Sequence, residues 1–270
     1  MPGDATFKAK TRAMKRPSDP GNFFHPMRLT FRVFIFLFAA FIAPSLLHAA
    51  IWATKDKPGS WHTADWTSAG ILPASPNRTE AAIYVMSART GGFKGAFASH
   101  SWLVIKKPGR MDYDRYDVVG WGRPVRKNAY PADGRWYSNA PTIHHQIKGE
   151  AAKRLIAPIE REITNYRWQS YGDYTLWPGP NSNTFVATII RNVPELKSAT
   201  PSTAVGRDFP ADGNWFKLDS DGIRATLGGY AGFAIGKTAG LELNFLGLVL
   251  GFNPGDGTLK VPSFGAFSLY

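Results

Sequence analysis

Hydrophobic and polar positions divide the chain into four stretches. Residues 1–28 are polar and basic. From Val33 to Leu47, "VFIFLFAAFIAPSLL" runs for 15 residues without a charge, with Arg28 and Arg32 on its N-terminal side and "HAA" after it. That pattern fits a secretory signal or an uncleaved signal anchor. The run is short for a span of about 20 residues, and extension through Ala53 makes it long enough. Basic residues ahead of it place the N-terminus in the cytoplasm and the rest outside. Residues 54–80, with "PGSWHTADWTSAGILPASP", have no period and read as an extended linker carrying tryptophan anchors. The expected organisation is a basic cytoplasmic tail (1–28), a signal or transmembrane segment (29–53), a linker (54–80) and a folded domain (81–270).

Within 81–270 the period changes twice. "AAIYVMSA" (81–88), "SHSWLVIKK" (99–107) and "RYDVVGWG" (115–122) are apolar and β-branched, and Gly91-Gly92 and Pro108-Gly109 stand between them. This predicts a small antiparallel sheet. In 150–166, Ala152, Leu155, Ile156, Ile159, Ile163 and Tyr166 recur at helical spacing. Pro158 should kink or break that helix. A second helix is expected over Ser182–Arg191, with Asn181 as N-cap and Pro194 as its stop. Residues 215–270 are apolar but punctuated by glycine, as in "LGGYAGFAIGKTAGLELNFLGLVLGF". Glycine disfavours helix there, so short strands are expected, a hairpin lying on the sheet, with a membrane-touching segment as the less favoured alternative. The fold class is α+β: an antiparallel sheet packed with a few helices behind an N-terminal membrane helix or signal.

Composition narrows the chemistry. With 44% hydrophobic and 19% charged residues in 270, the chain can bury a sizeable core. It has no cysteine, so disulfides, thiolate metal sites and a cysteine nucleophile are excluded. The six histidines show no metal-ligand spacing, and no metal or cofactor is expected. The formal charge is +12, with seven Lys/Arg against two acids in residues 1–50. Elsewhere the charges are scattered, which suits a solvated surface facing anionic envelope material and not a nucleic acid.

Candidate chemistry gathers at "WPGPNSNTFV" (177–186). A serine in the first turn of a helix lies beside unsatisfied backbone N–H groups and the positive dipole end, where an oxyanion can be held. The hydroxyl needs a base from elsewhere in the chain. His100, opening the strand in "FASHSWLV" after a loop rich in small residues, is the best candidate, and His144-His145 reads as surface. Asp117 or Tyr116 on the neighbouring strand could orient the imidazole, depending on register. Asn181, Asn183, Trp177 and Tyr116 are candidate ligand-binding residues. Trp102 is expected in the core. Local physics alone makes Ser182 part of a capping sequence and His100 a strand-edge histidine.

Two resemblances add to this. "ADWTSAG" (64–70), "ASHSWLVIK" (98–106), "YDVVGWG" (116–122), "DGRWY" (133–137), "YTLWPGPNSNTFV" (174–186), "VPEL" (193–196), "LGLVLGF" (246–252) and "VPSFG" (261–265) resemble an uncharacterised bacterial family, domain of unknown function 3750. More distantly, "HSWLVI" (100–105), "YDVVGWG" and "NSNTF" (181–185) resemble circularly permuted papain-like proteins, namely the PPPDE peptidases and lecithin retinol acyltransferase-like proteins. Those place a histidine on an early strand and a cysteine at the start of a later helix. The resemblance implies a permuted papain-like fold with His100 as base and Ser182 in the cysteine position, framed by Asn181 and Asn183. Serine is far less acidic than cysteine, although serine with a histidine base works in other folds.

Together these readings imply an exported or membrane-anchored envelope protein, held in a bacterial inner membrane through 29–53, with its folded part on the periplasmic or extracellular side. Its cleft is expected to be a binding or degenerate site for a peptidoglycan or lipid-derived ligand. The alternative is an amide or ester hydrolase, or an acyltransferase, using His100 and Ser182.

Overall fold

The computed structural model describes residues 24–269. Residues 1–23, most of the expected basic tail, and Tyr270 lie outside the described residues. The chain divides into two units, Met1–Phe36 and Leu37–Tyr270. The first is helical from Phe24, in α1 (Phe24–Leu37). In the second, a π-helical stretch (Phe38–Ile42) leads into α2 (Ala43–Ala53). Helix over Arg28–Ala53, 26 residues with a mean hydropathy of 2.2, is long and apolar enough to cross a membrane.

Five strands follow: β1 (Ala82–Arg89), β2 (Ser99–Lys106), β3 (Asp114–Val118), β4 (Val125–Lys127) and β5 (Thr142–Lys148). They form one antiparallel sheet in the order β4-β3-β2-β1-β5. The sheet is covered on both faces, which explains why β1 and β2 read as continuous apolar runs. Ile83, Val85, Leu103 and Ile105 point to a core shared with α3 (Gly149–Thr164) and α4 (Ser182–Asn192). Ala82, Tyr84, Met86, Trp102 and Val104 point to a second core closed by Leu72, Trp66 and Trp136. Residues 54–80 therefore do more than link: although free of helix and strand, they are laid over that face. Asp133 pins them by accepting from the N–H groups of Ile71 (2.8 Å) and Leu72 (3.1 Å). Helix α3 runs through Pro158 unbroken. Its buried face of Ala152, Leu155, Ile156, Ile159 and Ile163 holds it on the sheet despite the missing hydrogen bond.

Residues 215–270 form more than a hairpin. They make seven strands, β6 (Phe216–Leu218), β7 (Gly222–Leu227), β8 (Ala231–Gly236), β9 (Gly240–Phe245), β10 (Leu248–Asn253), β11 (Thr258–Val261) and β12 (Gly265–Ser268). These join as a sequential antiparallel meander. Tight turns make this workable; Leu246-Gly247, both at positive φ, turn β9 into β10. The register brings Leu218, Ile223, Ile235, Leu241, Phe252, Leu259 and Phe267 into one row across all seven strands. The adjacent row, Arg224, Ala234, Glu242, Gly251 and Lys260, lies on the opposite face. The charged row is the inward one. Arg207 and Lys260 both donate to the Glu242 carboxylate, and Asp208 accepts from Arg224 (3.1 Å) and Asn244 (2.7 Å). This sheet is thus fastened to the rest of the unit through buried ion pairs, while its apolar row faces outward.

Candidate functional site

Strands β2 and β3 pair with Trp102 opposite Asp117, so Asp117 is near the strand-opening His100. His100 Nε2 donates to Asp117 Oδ2 at 3.2 Å, and Arg115 Nη2 donates to the same oxygen at 2.9 Å. Arg115 and Asp117 are fully buried. The guanidinium also donates to the carbonyl of Pro131 (3.0 Å) and lies 4.0 Å above the Trp102 ring. Trp136 stacks flat on the imidazole, centroids 3.6 Å apart and planes 3° off parallel, and is itself enclosed by Trp66 and Tyr130. The imidazole is therefore fixed by a hydrogen bond in its plane and an aromatic plate on its face.

Electrostatics sets the proton. Burial pushes the Asp117 carboxyl up, but the His100 hydrogen bond and the Arg115 charge outweigh it and hold the group below the usual carboxylate range. An ionised carboxylate only accepts, so His100 carries its proton on Nε2. Burial pushes His100 below its ordinary value; Asp117 opposes that without cancelling it, and Arg115 adds to it. The imidazole is neutral at pH 7, with the lone pair on Nδ1. Among the described residues Nδ1 has no hydrogen-bond partner, and it is not sealed from solvent.

Ser182 opens α4. Asn181 is its N-cap, as expected, in a complete capping box: its Oδ1 accepts from the N–H groups of Asn183 (2.9 Å) and Thr184 (3.1 Å), and Thr184 Oγ1 accepts from the Asn181 N–H (3.1 Å). Asn181 Nδ2 donates to the carbonyls of Leu176 (2.9 Å) and Val205 (3.1 Å). Gly206 admits this side chain: a Cβ there would stand 2.2 Å from Asn181 Nδ2, on a backbone with φ of +96°. The cap uses the second and third N–H groups of α4. The N–H and hydroxyl of Ser182 have no partner among the described residues, so the helix start offers one open donor and not several.

His100 and Ser182 line the same cleft of about 290 Å³. Asn183 couples their elements, because its Nδ2 donates to the carbonyl of Ser99, next to His100, at 2.8 Å. Its Oδ1 is buried without a partner. Phe97, Leu176, Trp177, Val205 and Leu248 give the cleft an apolar lining, and exposed Lys94 adds a cation. Trp177 is half exposed, with its Nε1 donating to the carbonyl of Leu246 at 3.1 Å. His100 and Ser182 are not hydrogen-bonded to each other.

The structure thus brings His100, Asp117, Ser182, Asn183 and Trp177 to one place. Asn181 also borders the cleft, but its side chain is spent on capping. Tyr116 is directed elsewhere: it is on the other face of β3, in the helix-side core, with its hydroxyl donating to Glu160 at 3.2 Å. Exposed His144, on the edge strand β5, bonds Ser87 of β1, outside the cleft. Arg115 was not among the sequence candidates, and Trp136 was not among the catalytic ones. The i, i+2 spacing of Arg115 and Asp117 in "DRYDV" puts both on one strand face and is the signal available for the first. No local pattern marks Trp136. Among the described residues no group of three or more His, Asp or Glu side chains could hold a metal ion.

Residues 80–209, which carry this whole constellation, match the model of the family described as "Protein of unknown function (DUF3750)". No curated protein and no solved structure matches the chain.

Proposed function

We propose that the protein is a membrane-anchored acyl-transfer enzyme, hydrolase or acyltransferase, in which Ser182 is the nucleophile, His100 its base and Asp117 the group that orients the base. The reading is carried by one observation: His100 is tied to Asp117 through Nε2 and keeps Nδ1 free at the cleft that Ser182 enters. Ser182 Oγ adds to the carbonyl carbon of an amide or ester while its proton passes to His100 Nδ1. The carbonyl oxygen, now negative, accepts from the Ser182 N–H at the positive end of α4. His100 then gives the proton to the leaving nitrogen or oxygen as that bond breaks. Water or an acceptor alcohol or amine releases the acyl group by the reverse sequence. The apolar lining suits a carbonyl compound carrying an apolar group. This ordering of histidine strand and nucleophile helix is that of the permuted papain-like proteins, with a hydroxyl in place of the thiol. Helix Arg28–Ala53 serves as the anchor, with the cleft on the non-cytoplasmic side.

A second reading, a binding site whose chemistry has been lost, is favoured by the absence of a hydrogen bond between Ser182 and His100, although such bonds often tighten only with substrate bound. A fluorophosphonate probe separates the two. Labelling of the wild type that is lost in Ser182→Ala and His100→Ala supports catalysis; equal labelling of all three, or none in any, leaves the binding reading. Ser182→Cys adds an independent measure, because it is the only thiol in the chain. If His100 is poised as a base, that thiol is alkylated by iodoacetamide faster than in the Ser182→Cys/His100→Ala double variant.

A further inference from the structure

The meander of β6–β12 is built inside out for a soluble sheet. Its inward face carries Arg224, Glu242 and Lys260, and its outward face carries the seven-residue apolar row. Leu218 is 69% exposed, Leu241 53% and Ile235 50%. A second row, Phe216, Ala225, Phe233, Leu243 and Leu250, is on the same side by the register. Six inter-strand gaps of about 4.8 Å make the first row roughly 29 Å long. Contiguous apolar surface on this scale marks an interaction site.

We infer that this face lies on a lipid bilayer, with its side chains immersed among the acyl chains of one leaflet. What covers it is indicated by the segment already packed against it. Phe245 shares the face of Leu241 and Leu243, and Phe41 of the N-terminal helical segment sits on it, ring centroids 5.7 Å apart. Ser45 and Ser263 are hydrogen-bonded at 2.8 Å, and His48 meets Phe264 edge-on at 4.8 Å. The same segment leaves Leu46, Leu47 and Ile51 exposed. The apolar sheet face and the apolar helical stretch 38–53 are therefore one continuous surface, and a membrane that receives this stretch reaches the sheet. Strands of three to six residues are too short to cross, since spanning takes about 9–11. Unpaired backbone at the outer edges of β6 and β12 would be costly in hydrocarbon. The sheet accordingly rests at the interface and does not traverse the bilayer, and the formal charge of +12 favours anionic lipid. The consequence for the cleft is direct. Trp177 and Leu246 border both: Leu246 follows β9, and Trp177 meets Tyr230 edge-on at 4.8 Å. The cleft opens beside the lipid surface.

This inference rests on the helix being a membrane anchor, and its test reads the two separately. The chain has no cysteine, so single substitutions Phe233→Cys, Leu241→Cys, Leu47→Cys and Lys153→Cys each take one environment-sensitive fluorophore. The full-length protein is reconstituted into vesicles of phosphatidylcholine and phosphatidylglycerol, with and without brominated acyl chains. Labels at 233 and 241 should show blue-shifted emission, quenching by brominated lipid and protection from aqueous iodide; the label at 153 on α3 should show none of these. Lipid quenching at 47 with iodide quenching at 233 and 241 overturns the inference and leaves the anchor intact. Iodide quenching at all four overturns both. Labels at 233 and 241 shielded from iodide but untouched by brominated lipid would assign the face to a second copy of the chain and overturn the lipid assignment. Phe233→Asp/Leu241→Asp, two changes at exposed positions, should lose the sheet's protection without loss of far-ultraviolet circular dichroism.

Discussion

Replacing Asp117 by asparagine tests the electrostatic frame of the site. Asp117 Oδ2 accepts from His100 (3.2 Å) and Arg115 (2.9 Å), and both Arg115 and Asp117 are fully buried. Breaking a buried ion pair by removing one partner costs about 3–5 kcal/mol, because an uncompensated charge is left inside. Here Arg115 keeps the Pro131 carbonyl at 3.0 Å and the Trp102 face at 4.0 Å, and a desolvated cation–π contact can offset about 2 kcal/mol. The loss should fall at the lower end, about 3 kcal/mol. With a urea slope of about 2–3 kcal/mol per molar, the unfolding midpoint drops by about 1–1.5 M. The measurement is urea unfolding in detergent micelles followed by tryptophan fluorescence. Arg115→Met/Asp117→Leu should recover part of the loss, up to about 2 kcal/mol, since neither charge remains; what persists is the unpaired His100 N–H, at least about 1 kcal/mol. A drop below about 1 kcal/mol for Asp117→Asn, or a double variant worse than the single one, would refute the reasoning.

Other outcomes follow from the same geometry. His100 titrates below its unfolded value of 6.5, so the unfolded chain binds the proton first; its contribution to stability is lost as pH falls below about 6.5, by at most about 1.4 kcal/mol per pH unit. His100→Gln should flatten the wild-type pH profile in that window and leave it unchanged above, and parallel profiles throughout would count against a buried neutral imidazole. Asn181→Ala removes the cap of α4 and the donor to the Leu176 carbonyl, and should cost about 2–3 kcal/mol in the same unfolding assay. Gly206→Ala should destabilise comparably, because its Cβ collides with the Asn181 side chain; a melting temperature equal to wild type would disprove that contact. Glu242→Leu takes the shared carboxylate from buried Arg207 and Lys260, leaving Lys260 only the Ala239 carbonyl, and should cost about 3–5 kcal/mol, detectable as proteolysis of the meander at temperatures where the wild type resists.

The sequence determined those features whose physics is local. The charge-free run fixed a helix long enough to cross a membrane. Period fixed the first three strands and α3, and "GPNSNT" fixed the start of α4, because a cap is made by residues within three positions of each other. His100 and Ser182 could be singled out for their places at the start of a strand and a helix. What required the tertiary structure is everything set by register or by distant chain. Whether Asp117 or Tyr116 met His100 depended on which face of β3 turned toward the strand end, and a one-residue slip exchanges them. Trp136 stacks on His100 across 36 positions of chain, which no spacing rule encodes. The meander was illegible for a different reason. Alternation in "GLELNF" and "GIRATL" states that two faces differ but not which is inside, and the usual assumption puts apolar residues inward. Only the buried partners of Glu242, Arg224 and Asn244, supplied by Arg207 and Asp208 from outside the meander, decided that the charged face is the inner one and the apolar face the outer.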